Sequence, residues 1–539
     1  MRTSKIFKLL LVPVICGTML NAAENSLRCG QIFAFSAADG ATDWLDGLVC
    51  RVNGRSLELK LPVPGGAIIF DEEPDGIYGD CLTAGATRAA FADAHHIVID
   101  GNFTTSGIPS AYKIETRNNK TVIAPAKHFN SSWLDVDFEE IFAARKKWLD
   151  AHCSGNDPVL RRALSQLKTQ LCSPCGKIPV RWTTPDRWPH RNMWLWDSVF
   201  HALALRHVDI DFAEDAIRAV FAGQDESGFI PHFATPDGKS STTQPPVLGY
   251  GVSKILEIKF DRDFLAEVYP KNRKFLNWCA ANRDRDRDGL LEYFIDDRPA
   301  CRCGESGMDN SPRFDNSALL DAPDFNAFYA RECRLMAKFA EMLDLPGEAA
   351  AWRRRADQVN RLMNEKLWDD EAGLYVDFDV EKNCRSAILS SSGFLPLISG
   401  APDAAKVKKM VALLRDPKKF GTKLPIPSIA RDEASFSTDM WRGPVWININ
   451  LMIAEALKNY GESAIADEIE QKSCAIIEKY FRQYGTFFEY YDADDSLPPI
   501  KLARKGYYSP DEVYHQALRD YGWTATLYID NQLSRKRNN

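Results

Sequence analysis

Apolar and polar residues alternate in short runs over roughly the first quarter of the chain. Two such runs flank Asn53-Gly54 in LVCRVNGRSLELKL, and two more flank Asn118-Asn119 in YKIETRNNKTVIAP. These dipeptides tolerate the positive φ angles of tight hairpin turns, so each stretch predicts a β-hairpin. Further apolar runs read GAIIF and HHIVID. The pattern predicts an antiparallel β-sandwich domain over residues 24–135.

Helical periodicity replaces this alternation near Asp137. That residue stands where an N-cap is expected, and apolar residues then recur every three or four positions. A later apolar stripe runs from Phe325 to Phe339 and stops before Pro346, where another helix is expected to begin. About a dozen helices joined alternately by short and long loops would form a toroid with the long loops at one mouth. We therefore predict a helical domain over residues 136–539.

Composition limits the classes of partner. The chain has 539 residues, 45% of them hydrophobic, and a formal net charge of −7. This length fits a large catalytic domain with a smaller one beside it. The negative charge and the lack of a dense Lys/Arg run exclude nucleic acid as an expected partner. The composition does not predict an oligomeric state.

The N-terminal segment, residues 1–23, combines basic residues, an apolar run and two small residues at its end. This arrangement predicts a cleaved signal peptide, and hence an exported protein that is periplasmic or extracellular. A membrane anchor would need a longer apolar span, and no other stretch approaches one. We expect no membrane insertion of the mature chain.

The 13 cysteines are spread along the whole chain rather than clustered. Local bridges between Cys172 and Cys175, or between Cys301 and Cys303, are one interpretation of their spacing. Zinc at Cys172 and Cys175 is another, but no second CxxC or histidine pair accompanies it. We favour scattered buried thiols with one or two bridges at most.

Seven segments rich in Trp, Arg, Asp and Gly lie in the long connections, where helix packing does not require them. They are PDRWPHRNMWLWDS (185–198), QDESGFIPH (224–232), TTQPP (242–246), ESGMDNSPRF (305–314), STDMWRGPVW (437–446), FFEYYD (487–492) and DYGWTA (520–525). ESGMDNSPRF and WRGPVW are specific, whereas YGWTA or QPP alone would prove little. Their occurrence together and in this order is the strong signal.

In order and type these segments resemble the inverting glycosidases that include trehalase and the α-glucosidases of glycoside hydrolase family 63. The greatest similarity is to the bacterial family 63 and mannosylglycerate hydrolase type, over most of residues 140–530. The resemblance implies an (α/α)6 barrel. The expected fold class is thus mainly α, an (α/α)6 barrel with an N-terminal antiparallel β-sandwich.

The resemblance places the general acid at Asp309 and the general base at Glu489. Inverting hydrolysis needs this pair, because one carboxyl protonates the leaving oxygen while the other activates a water on the opposite face. Met308 and Phe314 are expected to desolvate Asp309 and keep it protonated. The alternative for either carboxylate is a buried ion pair with an arginine such as Arg313.

The other motif residues predict a sugar-binding site, since sugars need aromatic faces for their C–H patches and planar polar groups for their hydroxyls. Arg187 and Asp197 match positions at which the family contacts the innermost sugar. Packing in the helical core is the alternative for any single Trp. The candidate substrate-binding residues are Arg187, Trp194, Trp196, Asp197, Gln244, Asn310, Arg313, Trp441, Arg442 and Trp446.

The stretch DRDRDGLLE follows the opening of an EF-hand loop, with oxygen ligands at alternate positions as calcium prefers. The usual bidentate Glu is missing because Ile295 stands at the twelfth position, so a distant carboxylate would have to complete the shell. A solvated acidic turn is the alternative. The candidate ligands are Asp284, Asp286, Asp288 and Glu292, for a structural calcium. The expected chemistry requires no cofactor.

The leading hypothesis is a secreted or periplasmic, inverting, exo-acting hydrolase of α-linked, α-glucosidic di- or oligosaccharides. Mannosylglycerate or glucosylglycerate is the second choice of substrate, and trehalose follows. Two other classes are a carbohydrate-binding protein without catalysis and a polysaccharide lyase. The presence of both candidate catalytic carboxylates argues against the first. A lyase typically needs a Tyr/His pair and a basic cleft, so the nine histidines and the modest negative charge of this chain argue against the second.

Overall fold

A computed structural model describes residues 31–35, 43–74, 76–78, 80–153, 157–298 and 300–538. The predicted signal peptide at residues 1–23 lies outside these ranges, so it stays a prediction. Within them, no helix combines the length and the apolar character that crossing a membrane requires.

Eleven strands form two antiparallel sheets in the N-terminal part. The five-stranded sheet has the order β1-β2-β3-β4-β9, and the six-stranded sheet has the order β10-β11-β8-β7-β6-β5. Their bounds are β1 Gln31–Ala34, β2 Val49–Asn53, β3 Ser56–Leu61, β4 Ala67–Phe70, β5 Gly76–Tyr78, β6 Cys81–Ala84, β7 Thr87–Phe91, β8 Ile97–Asp100, β9 Phe103–Ser106, β10 Tyr112–Arg117 and β11 Lys120–Pro125.

Both predicted hairpins are confirmed. Gly54, between β2 and β3, has φ 59°, while Asn118 and Asn119, between β10 and β11, have φ 51° and 65°. Only residues that accept the left-handed region close such turns without strain. The two sheets share one buried apolar cluster, to which Val52 and Ile123 belong, so they pack face to face as predicted for this part of the chain.

Thirteen α-helices follow in the described residues. They are α1 Phe138–His152, α2 Pro158–Thr169, α3 Leu195–Leu205, α4 Ile210–Ala222, α5 Leu248–Leu256, α6 Arg262–Asn282, α7 Pro323–Met342, α8 Pro346–Leu362, α9 Pro396–Ser399, α10 Ala404–Arg415, α11 Ile447–Asn459, α12 Ser463–Tyr484 and α13 Gly522–Asn538. Two-residue strands in the connections form four further small sheets, three of two strands and one of three.

The sequence signals for helix ends agree with these bounds. Asp137 caps α1 by accepting a hydrogen bond from the Glu139 backbone N–H at 2.9 Å. Pro346 occupies the first turn of α8, where its missing N–H costs no helical hydrogen bond. Helix α1 packs through Phe138 and Phe142 onto the six-stranded sheet, so the first predicted helix lies against the β part of the molecule.

Six helices contact one another in a closed circuit, in the order α3, α5, α7, α9, α11, α13 and back to α3. Helices α2, α4, α8 and α12 each pack against a member of that circuit. Four of the seven motif segments end at or just before the first turn of a helix of the circuit, ESGMDNSPRF ends nine residues before α7, and FFEYYD lies between α12 and α13. The circuit therefore brings segments that are distant in sequence to a common place.

The eleven cysteines in the described part of the chain are free thiols. The predicted local bridges, Cys172 to Cys175 and Cys301 to Cys303, do not form there. Cys172 instead lies 2.7 Å from Arg187 Nη1. Neither Cys172 nor Cys175 belongs to a cluster with metal-ligand spacing among the described residues, so zinc at that motif is not supported.

Candidate active site

A cavity of about 800 Å³ lies where the motif segments meet. Its volume is in the range of small-ligand sites in proteins. Seven of the residues predicted from sequence line it, and they come from five different segments of the chain. These residues are Trp194, Trp196, Asp197, Gln244, Asp309, Trp446 and Glu489.

The other five predicted residues lie outside the lining of this cavity and support its wall. Arg187 is buried with φ 64°, and its guanidinium contacts the Cys172 thiol and the Asp43 carbonyl. Asn310, Arg313, Trp441 and Arg442 are engaged with protein groups, as described below. The prediction that all five contact sugar therefore has no direct geometric support in this structure.

The loop that carries Asp309 is shaped by its neighbours. Gly307 has φ 73°, and a Cβ there would lie 2.3 Å from the Trp196 ring, so only glycine fits this close approach. Cys303 donates its backbone N–H to the Asp309 carbonyl at 3.2 Å. Asn310 accepts a hydrogen bond from the Trp441 backbone N–H at 3.0 Å, which ties this loop to the next motif.

Arg313 anchors the same loop from below. Its guanidinium pairs with Asp324 at 2.9 Å and with Asp377 at 2.5 Å, and all three side chains are almost fully buried. A buried arginine between two carboxylates is stable only when its donors are satisfied, and here four hydrogen bonds satisfy them. Arg313 therefore pairs with Asp324 and Asp377 and not with Asp309 or Glu489, whereas the alternative of a buried carboxylate–arginine pair does apply to Glu489, through Arg504.

The WRGPVW segment contributes one aromatic face to the cavity. Trp441 is fully buried and stacks on Trp446 with ring centroids 3.8 Å apart, so Trp446 faces the cavity while Trp441 supports it from behind. Arg442 donates to the Asn310 carbonyl at 3.0 Å and pairs with Asp315 at 2.6 Å. These contacts fix the position of the Asp309 loop relative to Trp446.

The environment of Asp309 differs from the one expected. Burial raises the pKa of Asp309, but Lys505 Nζ lies 2.7 Å from Oδ2 and, with His232 and Arg504, brings the pKa below its ordinary value. Met308 and Phe314 are buried behind the loop, where Arg313 contacts the sulfur of one and the ring of the other. The expectation that they keep Asp309 protonated is wrong, because a cation next to the carboxylate outweighs their desolvation.

Glu489 has a different partner. Arg504 Nε donates to Glu489 Oε2 at 3.0 Å, and both side chains are only 2% exposed. The backbone of Glu489 is held as well, since its N–H donates to the Leu518 carbonyl at 2.9 Å. A buried guanidinium favours the anionic carboxylate, which is the form that a general base requires.

Asp197 is the third acid in the cavity. Burial raises the pKa of Asp197 well above its ordinary value, and the charges of Asp186 and Glu489 raise it further. Its Oδ1 is buried without a hydrogen-bond partner among the described residues. Next to it, the backbone N–H of Trp196 donates to Gln244 at 3.1 Å, which holds the start of α3. The Oδ1 atom of Asp197 is therefore available for a hydrogen bond with a hydroxyl group of a bound sugar.

Comparison with known proteins agrees with this geometry. A profile of the mannosylglycerate hydrolase MGH1-like glycoside hydrolase domain matches residues 190–524, more than half of the chain. The chain belongs to this glycoside hydrolase family. Hydrolase chemistry, and not the lyase or the non-catalytic binding protein, therefore describes it.

Individual relatives support the same family. The hydrolase is 28% identical over 395 residues to the mannosylglycerate hydrolase of Thermus thermophilus, covering 58% of this chain and 91% of the relative. It is 23% identical over 415 residues to the glucosylglycerate hydrolase of Mycolicibacterium hassiacum, covering 57% and 87%. Superposition on the crystal structure of a GH63 mannosylglycerate hydrolase from Thermus thermophilus with Tris and D-glycerate gives a TM-score of 0.58 at 25% identity, covering 70% of this chain and all of the other. The family 63 resemblance is thereby confirmed.

Several cavity residues of the hydrolase were not predicted as site residues. Tyr521 and Trp523 come from DYGWTA, a segment that the sequence already indicated without a role for each residue. Arg504 and Lys505 come from KLARKGYY, which contains no motif. Their signal was only two adjacent basic residues shortly after FFEYYD. Sequence reasoning overlooked them because charge pairing across the cavity is a tertiary property.

The predicted calcium loop shows three of its four carboxylates together. One oxygen each of Asp284, Asp286 and Glu292 lies within 4.8 Å of the others. Glu292 is buried, which raises its pKa to about 7, and it accepts backbone N–H groups from the loop at 3.0–3.4 Å. These donors and this charge fit a hard divalent cation such as calcium.

Asp288, the fourth predicted ligand, belongs to a second group of carboxylates, which also includes Asp286 and Asp321. The ammonium of Lys366 lies among them, in contact with Asp288 and 2.6 Å from Asp321. Asp321 is fully buried, and burial raises its pKa to about 7. Asp321 is a carboxylate distant in sequence that lies beside the loop, but it groups with Asp286 and Asp288 and not with Asp284 and Glu292. Lys366 supplies positive charge at this side of the loop.

Proposed function

We propose that this glycoside hydrolase is an inverting, exo-acting enzyme for α-glycosides, with Asp309 as general acid and Glu489 as general base. One observation carries the proposal. The two carboxylates come from segments about 180 residues apart, line the same cavity, and have different counter-ions. The closed circuit of six helices supports an (α/α)6 barrel as the scaffold.

In the proposed reaction Glu489 accepts a proton from a water that attacks the anomeric carbon. Asp309 gives its proton to the oxygen of the leaving group, and the sugar departs with inverted configuration. Asp197, protonated, and Gln244 hold hydroxyls of the sugar, while Trp446 offers its face to the C–H side of the ring. The Arg504 guanidinium holds the carboxylate of the base in position.

We propose further that the leaving group carries a carboxylate. A general acid must lie beside the leaving oxygen, so Lys505 at 2.7 Å from Asp309 lies on the aglycone side. An incoming carboxylate can take over this ammonium, which removes the cause of the low pKa of Asp309 just where protonation is needed. Mannosylglycerate and glucosylglycerate have this chemistry, and the named relatives act on them.

The substrate proposal is tested with matched pairs of glycosides. We expect kcat/KM for mannosylglycerate or glucosylglycerate to exceed that for mannosylglycerol or glucosylglycerol, which have the same sugar and linkage but a neutral aglycone. The preference should shrink when Lys505→Met is assayed with the same pairs. Equal rates for charged and neutral members would refute the carboxylate preference and favour the neutral α-glucosides or trehalose, without touching the catalytic pair.

The stereochemical proposal is tested separately. Proton NMR of the first sugar released should show the anomer opposite to that of the substrate, because a single displacement by water inverts the carbon. Release of the same anomer would mean a covalent intermediate and would overturn the assignment of Glu489 as a base. Any active substrate serves for this measurement.

We also propose that the enzyme is exported, on the strength of the signal-peptide pattern in residues 1–23. N-terminal sequencing of the protein recovered from the periplasm or medium should begin after Ala23. Recovery of the uncleaved chain from the cytoplasm would contradict export. The result is independent of the chemistry.

A further inference from the structure

Three loops of the β part bring two acids and two histidines together, away from the catalytic cavity. Asp43 and Asp46 precede β2, His95 lies between β7 and β8, and His128 follows β11. None of the four lines the cavity that holds Asp309 and Glu489. Their role has to be sought in the cluster itself.

The ring nitrogens of both histidines converge on one carboxylate. His95 Nε2 lies 3.1 Å from Asp46 Oδ1, and His128 Nε2 lies 2.9 Å from Asp46 Oδ2. Asp43 Oδ2 is 3.8 Å from His95 Nε2. The two imidazoles are stacked with centroids 3.8 Å apart and an interplanar angle of 24°, and the Nε2 atom of each faces Asp46.

This donor set has the chemistry and spacing of a zinc site. Zinc takes imidazole nitrogen and carboxylate oxygen at about 2.0–2.2 Å in a tetrahedron, which sets neighbouring ligand atoms about 3.3 Å apart. One ligand atom each of Asp46, His95 and His128 already lies within 4.8 Å of the others. We propose that His95, His128, Asp46 and Asp43 bind a zinc ion.

The alternative is a hydrogen-bonded ion-pair cluster. Lys127 contacts Asp46 at 2.5 Å, but the lysine side chain is 59% exposed and can turn into solvent when a metal arrives. A bound metal would take the place of the hydrogen bonds that His95 and His128 make with the two oxygens of Asp46.

A zinc ion at this site would stabilise the contact between the β part and the helical part of the chain. Trp44, which lies between the two acids in sequence, donates its indole N–H to the Arg191 carbonyl at 2.6 Å, and Arg191 returns a hydrogen bond to the Trp44 carbonyl at 2.6 Å. Arg191 follows His190, which lines the catalytic cavity. Zinc would therefore fasten the segment that docks on this wall of the active site, as a structural ion.

The test uses the full chain after treatment with a chelator. Calorimetric titration with ZnCl2 should show one high-affinity site, and saturating zinc should raise the Tm, because the ion binds the folded state. Cobalt(II) should give the strong visible bands of a tetrahedral site without a thiolate band. Absence of binding to the wild-type chain overturns the proposal, and so does a thiolate band, which would place the ion on cysteines instead.

Variants locate the site. His95→Gln with His128→Gln should weaken zinc binding by at least about tenfold, whereas His152→Gln, a histidine on α1 outside the cluster, should leave affinity unchanged. Full affinity in the double variant would overturn the assignment. Circular dichroism and melting without zinc show whether the double variant folds; if it does not, Asp46→Asn and His128→Gln alone are measured by the same criterion.

Discussion

Two consecutive residues, Arg504 and Lys505, pair with the two catalytic candidates in different ways. Arg504 forms an ion pair with Glu489, and both side chains are only 2% exposed. Lys505 forms an ion pair with Asp309, and here the lysine side chain is 23% exposed and the aspartate side chain 17%. A planar guanidinium in a dry site is a fixed partner, and a lysine on a flexible stem at the edge of the cavity is a removable one.

This difference matches the two roles. A general base must be ionised when the water attacks, so a counter-ion that stays in place favours this role. An acid must gain a proton before each turnover, so a permanent cation would oppose it. The charge pattern of the cavity thus agrees with the proposed role of Glu489 as base, and the proposed mechanism requires Lys505 to leave Asp309 when substrate binds.

The largest effect is expected from the carboxylates themselves. Asp309→Asn and Glu489→Gln should each lower kcat by about 10²–10⁴-fold with little change in fold, because each removes a proton-transfer step while keeping the shape. Steady-state kinetics and circular dichroism measure this. Asp296→Asn, an acid in the same cavity without an assigned role, is the matched control. Near-normal rates in either variant would refute the assignment of Asp309 as general acid and Glu489 as general base.

Removing the fixed partner should come next. Arg504→Met leaves Glu489 buried without its counter-ion, which should cost about 3–5 kcal/mol of unfolding free energy. Misplacement of the base should also lower kcat/KM by about 100-fold. Urea unfolding and kinetics give both values. If the Arg504→Met variant is as stable as the wild-type protein, the Arg504–Glu489 ion pair contributes little to the free energy of unfolding and does not hold Glu489 in place.

Removing the mobile partner should act through pH. In the free enzyme kcat/KM falls as Asp309 loses its proton, so the alkaline limb follows the pKa of Asp309. Lys505 lowers that pKa, and Lys505→Met should therefore move the limb to higher pH when a neutral substrate is used. The pH profile of kcat/KM checks this. If the alkaline limb is unchanged or moves to lower pH, Lys505 does not lower the pKa of Asp309.

A smaller effect is expected at Asp197. Burial raises the pKa of Asp197 well above its ordinary value, which favours the protonated carboxyl, and an amide has the same shape as that form. Asp197→Asn should retain kcat/KM within about tenfold, while Asp197→Ala should lose about ten- to a hundredfold more, since a sugar hydroxyl is left without a partner. If both variants lose activity equally, the carboxyl acts as an anion.

The smallest effect concerns another lysine among carboxylates, Lys366. If calcium occupies the Asp284–Asp286–Glu292 group, EDTA should lower the Tm and CaCl2 should restore it. At a hundredfold excess of calcium over Kd, the free energy of unfolding should rise by up to about 2.7 kcal/mol. Activity at room temperature should hardly change, because the loop is outside the catalytic cavity. Asp284→Asn should remove the response. A Tm that ignores both additives would leave the loop as an acidic turn that Lys366 neutralises.

Local patterns were sufficient for much of the fold and part of the site. The turn dipeptides at Asn53 and Asn118 and the cap at Asp137 act over a few residues, so the hairpins and the first helix could be read from the chain. The strands β1, β5, β6, β7 and β9 were not predicted, because their short runs lack a clear alternation or turn signal.

The sequence by itself determined the family, because the motifs of glycoside hydrolysis are recognisable from their residue types and their order along the chain. The same motifs identified both candidate catalytic carboxylates. Only the tertiary structure decided which side chains share a cavity and which counter-ion each carboxylate has. Arg187, Arg313 and Arg442 look like sugar ligands in the sequence, yet in the fold they are bound to protein groups. Protonation depends on charges a few ångströms away in space, and those distances follow from the packing of the whole chain.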